Sequence, residues 1–141
     1  PLSDLYIEDG KAHLTLADSE LIVAVHLPAN QPPSTYEKIR IRSAIDFPLA
    51  GVAVALAVSG SIISSLRIAL TGTNSRPFLL AGTDAFVGRH IDEKLLQEIE
   101  RLVQKQVQPM RTTLTSANYR RVTASALARR LTLNLGRSLA T

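Results

Sequence analysis

A chain of 141 residues, 45% of them hydrophobic, can bury one core and is too apolar to remain disordered. No cysteine occurs, which excludes disulfides, thiolate nucleophiles and iron–sulfur clusters held by this chain's own sulfur. The net charge of +4 is uneven: residues 1–60 hold four Lys/Arg against seven Asp/Glu, and residues 61–141 hold twelve against five.

From Met110 onward there are six arginines and no acid, a tail that suits an acidic partner, nucleic acid, anionic lipid or a plain solvated helix face. The longest apolar run, Pro48 to Val58, is eleven residues, short of the roughly 20 that span a bilayer. No basic-then-apolar start suggests secretion, so a cytoplasmic location is expected. Entry at Pro1 directly into Leu2-Ser3-Asp4-Leu5-Tyr6 reads as a carboxyl-terminal piece of a longer polypeptide, a trimmed small protein being the alternative.

In chain order, His13–Ala17 alternates weakly, and Glu20–Pro28 is β-branched and stopped by proline, which predicts a strand. Three prolines within 28–34 cannot extend a sheet and place a linker or boundary there. Residues 36–45 alternate, with Ile39, Ile41 and Ile45 on one face and Tyr36, Lys38, Arg40 and Arg42 on the other. Asp46-Phe47-Pro48 follows, and proline forces its predecessor extended; either Asp46 and Phe47 are presented at the sheet edge, or this is a simple turn with Phe47 in the core.

Val52, Val54, Leu56 and Val58 alternate with Ala53, Ala55 and Ala57, so a second strand is bulky on one face and closely approachable on the other. Ser59-Gly60-Ser61 predicts a hairpin turn into a third strand through Leu66, Ile68 and Leu70. Past Pro77 the period lengthens. A short helix is conceivable at 83–87; Leu95, Leu96, Ile99, Leu102, Val103 and Val107 then mark a helix capped by Asp92 and closed by Pro109. A second helix from Ser116 is expected to bury Val122, Ala126 or Leu127, Leu131 and Leu135 and to stop at Gly136. The fold class is α+β: an antiparallel sheet of three to four strands followed by two to three helices packed on one face.

The residues themselves carry little chemistry. His13, His26 and His90 lack ligand-spaced partners, so no metal site is expected. Ser59-Gly60-Ser61 lacks a nucleophile elbow, and the single-glycine loops Gly72-Thr73-Asn74 and Gly82-Thr83-Asp84 lack the converging amides of a phosphate cradle. Lys38, Arg40 and Arg42 beside Tyr36 could meet RNA, but six aromatic residues leave little for stacking, and nucleic acid is not the expected partner. Arg120 and Arg130 share a helix face suited to carboxylate docking or simply to solvent.

The wording Tyr36-Glu37-Lys38-Ile39-Arg40-Ile41-Arg42-Ser43-Ala44-Ile45-Asp46-Phe47-Pro48, then Gly51 to Leu56, Gln108-Pro109-Met110-Arg111-Thr112-Thr113, Ala117-Asn118-Tyr119-Arg120-Arg121 and Leu127-Ala128-Arg129-Arg130, resembles one family. It is similar to the carboxyl-terminal domain of the FAD-binding medium subunit of molybdenum hydroxylases, the xanthine dehydrogenase and CO dehydrogenase flavoproteins. Within that family it looks most like the beta subunits of 4-hydroxybenzoyl-CoA reductases. Glu20–Pro28 resembles the E-L-I-x-x-V-x-x-P end of the FAD-binding domain, so the resemblance divides the chain into a domain tail and linker, 1–33, and an α+β domain, 34–141.

The resemblance implies electron relay between FAD in the intact subunit and a molybdenum cofactor and iron–sulfur clusters on partner subunits, a large one and a small one. The family's glycine-rich FAD loops lie upstream in a preceding domain and have no counterpart here, so this chain alone is expected neither to hold FAD nor to be active. Its share would be to cover the flavin through Asp46, Phe47 and Leu49 and to secure domain or subunit packing through Tyr119, Arg120 and Arg121. Xanthine-oxidising relatives carry a lysine near the flavin where this chain has Leu49. A stand-alone basic adaptor, or a cofactor-free remnant, is the competing expectation.

Overall fold

Bulky residues alternating with alanine make Ala50–Ser59 (β2) the axis of a sheet whose order follows the chain, β1-β2-β3-β4. The structure is a computed structural model that describes residues 1–7, 9, 11–42, 46–109 and 115–140. Ser34–Ile39 (β1), Ile62–Thr71 (β3) and the two-residue Phe78–Leu79 (β4) pair antiparallel on either side of β2 and beyond. Register sets Val52 opposite Leu70, Val54 opposite Ile68 and Leu56 opposite Leu66, so all six point to one face and are buried. Each such side chain contributes about 1.5–3 kcal/mol. Gly60 opens the two-residue turn with φ +61, as a type II′ hairpin requires. A register shift at Ala57/Val58 leaves Ser64 as the extra residue of a bulge.

The buried sheet face is closed by two helices, Glu93–Gln106 (α1) and Ala117–Leu139 (α2). In α1 the stripe Leu95, Ile99, Val103 continues to Val107, and the Asp92 carboxylate accepts from Leu95 N–H at 2.7 Å, a cap of about 1 kcal/mol. In α2, Ser116 caps by accepting from Tyr119 N–H, and Ala124, Leu127, Ala128 and Leu131 face inward. Gln104 donates to Ser125 Oγ at 2.9 Å, joining the helices. The side-chain amide of Gln106 both donates to the Ala81 carbonyl and accepts from Ala81 N–H, each at 2.9 Å, and so stands in for a further strand just past β4. A two-layer α+β sandwich with both helices on one face is the expected class. No helix among the described residues is long and apolar enough to cross a membrane.

Four local expectations are corrected. Glu20–Pro28 forms no strand: Leu21, Ile22, Val23, Val25 and Leu27 are exposed, Val23 to 87%, because no described strand lies beside them to complete a ladder. The segment 36–45 is a strand only to Ile39; Ile41 is half exposed, Arg40 and Arg42 fall beyond the strand, and Ile45 lies outside the described residues. Gly136 does not stop α2, which runs on to Leu139; an added Cβ would lie 2.5 Å from Ile91 Cδ1, so this glycine is a notch for Ile91. Val122 and Ala126 are exposed, the inward position being Leu127. Thr83–Phe86 is the anticipated short helical turn, of 3-10 type, and β4 is a strand too short to show a period.

Candidate functional site

Proline and glycine fix one corner of the sheet. Pro48 leads into β2 and Gly72 leaves β3 with φ +75, and the two meet: a Cβ on Gly72 would stand 2.7 Å from the Pro48 carbonyl oxygen. Leu49 N–H donates to Ile39 O at 2.8 Å, tying the same segment to the end of β1. Arg120, in the first turn of α2, reaches down with Nε donating to Leu49 O at 3.0 Å and Nη2 donating to Gly72 O. One guanidinium thus joins the start of β2, the end of β3 and the long helix. Burial pulls its pKa below the ordinary arginine range, and the two carbonyl dipoles compensate part of that desolvation.

With Leu49 buried and locked, Phe47 is turned outward and is 90% exposed, so the core alternative does not hold, whereas the Asp46 side chain is mostly covered. Asp46 accepts from Arg42 N–H at 3.0 Å and from the Arg42 guanidinium at 3.4 Å. These bonds, the backbone one foremost, hold its carboxyl below the usual aspartate range. A group lowered on folding adds stability that is complete above its unfolded value and is lost as pH falls through the folded one. Acid titration of urea stability should therefore show a loss setting in below about the ordinary value of 3.8 that Asp46→Asn lacks; superimposable difference curves would remove the assignment.

Leu49 and Tyr119 line one open cavity of about 560 Å³ with Arg40, Ile41, Thr115 and Ser116. Two sets of residues read separately in the sequence, Asp46–Leu49 and Tyr119–Arg120, therefore meet. Arg121 does not join them; its Nε donates to Val107 O at 3.4 Å, at the end of α1. Arg111 lies outside the described residues. A second groove, of about 330 Å³, shares Tyr119 and runs between β1 and α2 along Ile39, Val122 and Ala126. Gly72, Arg40 and Ile41 are the members that sequence reading missed. The only signal for Gly72 was a glycine directly after a strand.

The corner suits a flat ring: Ile41, Leu49 and Tyr119 supply apolar and aromatic surface beside the Arg40 cation, and Phe47, two residues before Leu49, is exposed. It does not suit a pyrophosphate. The Gly72 loop is closed by Pro48 O, and in the separate Gly82 loop an added Cβ would lie 3.8 Å from the Leu102 side chain. Among the described residues no group of three His, Cys, Asp or Glu could hold a metal ion. Four of the six tail arginines are engaged inside the chain: Arg129 pairs with Glu93 at 2.6 Å, Arg130 with Glu37, and Arg120 and Arg121 with carbonyls.

The family model for the CO dehydrogenase flavoprotein C-terminal domain matches residues 34–135, well over half of the chain. The glyceraldehyde dehydrogenase medium chain of Sulfolobus acidocaldarius is 28% identical over 109 residues, 77% of this chain and 39% of that relative. A Cu,Mo-CO dehydrogenase structure superposes with TM-score 0.71 at 25% identity, over 79% of this chain and 39% of its own. Carbon monoxide dehydrogenase from Hydrogenophaga pseudoflava shares the fold with TM-score 0.79 at 22% identity, over 99% of this chain and 48% of its own. The chain thus spans less than half the length of these relatives. Matched across both helices and the sheet, it belongs to the CO dehydrogenase flavoprotein C-terminal domain family, the carboxyl-terminal domain of molybdenum hydroxylase medium subunits.

Proposed function

We propose that this domain covers one edge of an FAD held mainly by a preceding domain and docks the partner subunits of a molybdenum-hydroxylase-type oxidoreductase. The observation that carries the reading is the cavity shared by Leu49 and Tyr119, with the exposed Phe47 two residues before Leu49 in the chain. FAD there would exchange electrons between a large subunit with the molybdenum cofactor and iron–sulfur clusters on a small subunit. The part of this chain is to exclude water and orient: Phe47 and Leu49 offer faces, and Asp46, held by Arg42, fixes the approach. Tyr119 and Arg121 frame the docking side, while Arg120 positions the corner from behind. Residues 1–33 are the end of the FAD-binding domain and its linker, a reading favoured by the row of exposed apolar residues in 21–27. The engagement of four of the six tail arginines within the chain weighs against a nucleic-acid surface.

The substrate assignment is finer. On the wording of residues 36–56 and 108–130 we place the whole enzyme with the 4-hydroxybenzoyl-CoA reductases, in which two electrons and two protons replace the ring hydroxyl by hydrogen and release water. Anaerobic co-purification from the native source, with flavin absorbance and subunit masses read on one sample, tests the assembly, and turnover of 4-hydroxybenzoyl-CoA tests the substrate. Phe47→Ala in the complete enzyme should weaken flavin retention up to about tenfold, the scale of one lost aromatic contact of about 0.5–1.5 kcal/mol. A colourless chain recovered alone would overturn the assembly; an unchanged flavin content in Phe47→Ala would overturn the corner.

A further inference from the structure

We propose that the free edge of β1, with the groove between it and α2, receives an extended, alternately acidic and apolar segment of a partner subunit as a fifth strand. The proposal rests on the reading of this domain as part of an assembly and names where and how one partner binds.

The phase of the ladder comes first. Leu56 N–H donates to Pro33 O across the start of β1, while Ser34 is opposite Ala55 and Glu37 opposite Val52. In an antiparallel pair this places the main-chain groups of Thr35, Glu37 and Ile39 toward β2 and those of Ser34, Tyr36 and Lys38 outward. β1 is the sheet's edge, with no strand beyond it among the described residues. Three consecutive outward residues match the short main-chain match that strand addition uses.

The side chains then state what the added strand must carry. On its helix side it would meet the groove, where Ile39, Val122, Ala126 and half-exposed Tyr119 are apolar. On its other side it would meet Lys38 and, just past the strand end, Arg40, both exposed. The acids nearest this edge are already engaged, Glu37 by Arg130 and Asp46 by Arg42, so the edge is left net positive. Strand side chains alternate between faces, so a segment reading apolar, acidic, apolar, acidic satisfies both sides. A second copy of the same edge would set Lys38 and Arg40 against like charges, which is the usual way an edge refuses itself.

Amide hydrogen exchange with residue-level fragmentation, on the purified enzyme and on the 141-residue chain alone, reads this directly. Tyr36 and Lys38 amides should exchange at least about tenfold more slowly in the enzyme than in the chain alone, and Lys38→Glu should restore fast exchange in the enzyme. Fast Tyr36 and Lys38 amides in an enzyme that retains flavin and both partners would overturn the strand while leaving the assembly standing. Slow exchange already present in the chain alone would show pairing without a partner and overturn it as well. A chain that never assembles removes the reading beneath the proposal and the proposal with it.

Discussion

Gly72→Ala is expected to destabilise the domain by about 3 kcal/mol or more, roughly a hundredfold in folding equilibrium. Its φ of +75 costs an L side chain about 1–3 kcal/mol, and the new Cβ would meet the Pro48 carbonyl oxygen at 2.7 Å. A carbonyl cannot rotate away as a side-chain end can, so the Pro48–Leu49 segment would have to move and carry Phe47 with it. Gly60→Ala is the control: its φ is +61 but nothing lies within 4 Å, so only the conformational part of the cost applies. Urea unfolding of the two variants decides it; equal losses would mean that the contact with Pro48 matters little.

Arg120→Met should cost about 2–4 kcal/mol, because the carbonyls of Leu49 and Gly72 lose a charged donor in a partly buried place. Arg120→Lys should recover less than half, since a single ammonium cannot reproduce the guanidinium fork. Combined with Gly72→Ala the losses should fall short of additive by about 0.5 kcal/mol or more, both changes loosening one segment. Strict additivity in that cycle would show that Arg120 and Gly72 act independently.

Period and punctuation made most of the domain legible. The alternation of valine and alanine named β2, the glycine named the hairpin, and Asp92 with Leu95, Ile99 and Val103 named α1. Errors came where the deciding contact is distant in sequence. Gly136 reads as a stop because a helix-terminating glycine and a notch for Ile91 look alike without the packing. Glu20–Pro28 has strand composition, but a strand exists only with a neighbour. The site was legible as two lists of residues and not as one corner, because Arg120 and Leu49 are 71 positions apart and no local pattern records their bond.

The side-chain amide of Gln106 has a consequence for how this sheet could propagate. Leu80 N–H turns inward to Ile68 O, so the neighbouring Ala81 presents its main-chain groups outward, and Gln106 occupies both of them. One border of the sheet is thereby occupied at Ala81 from within the molecule, just past a strand of only two residues. Head-to-tail stacking of sheets into a fibre needs an open donor border and an open acceptor border on every copy. With Ala81 already paired, an incoming strand at this border would find open main-chain groups only along the two-residue β4, too short a stretch to carry a growing stack of sheets.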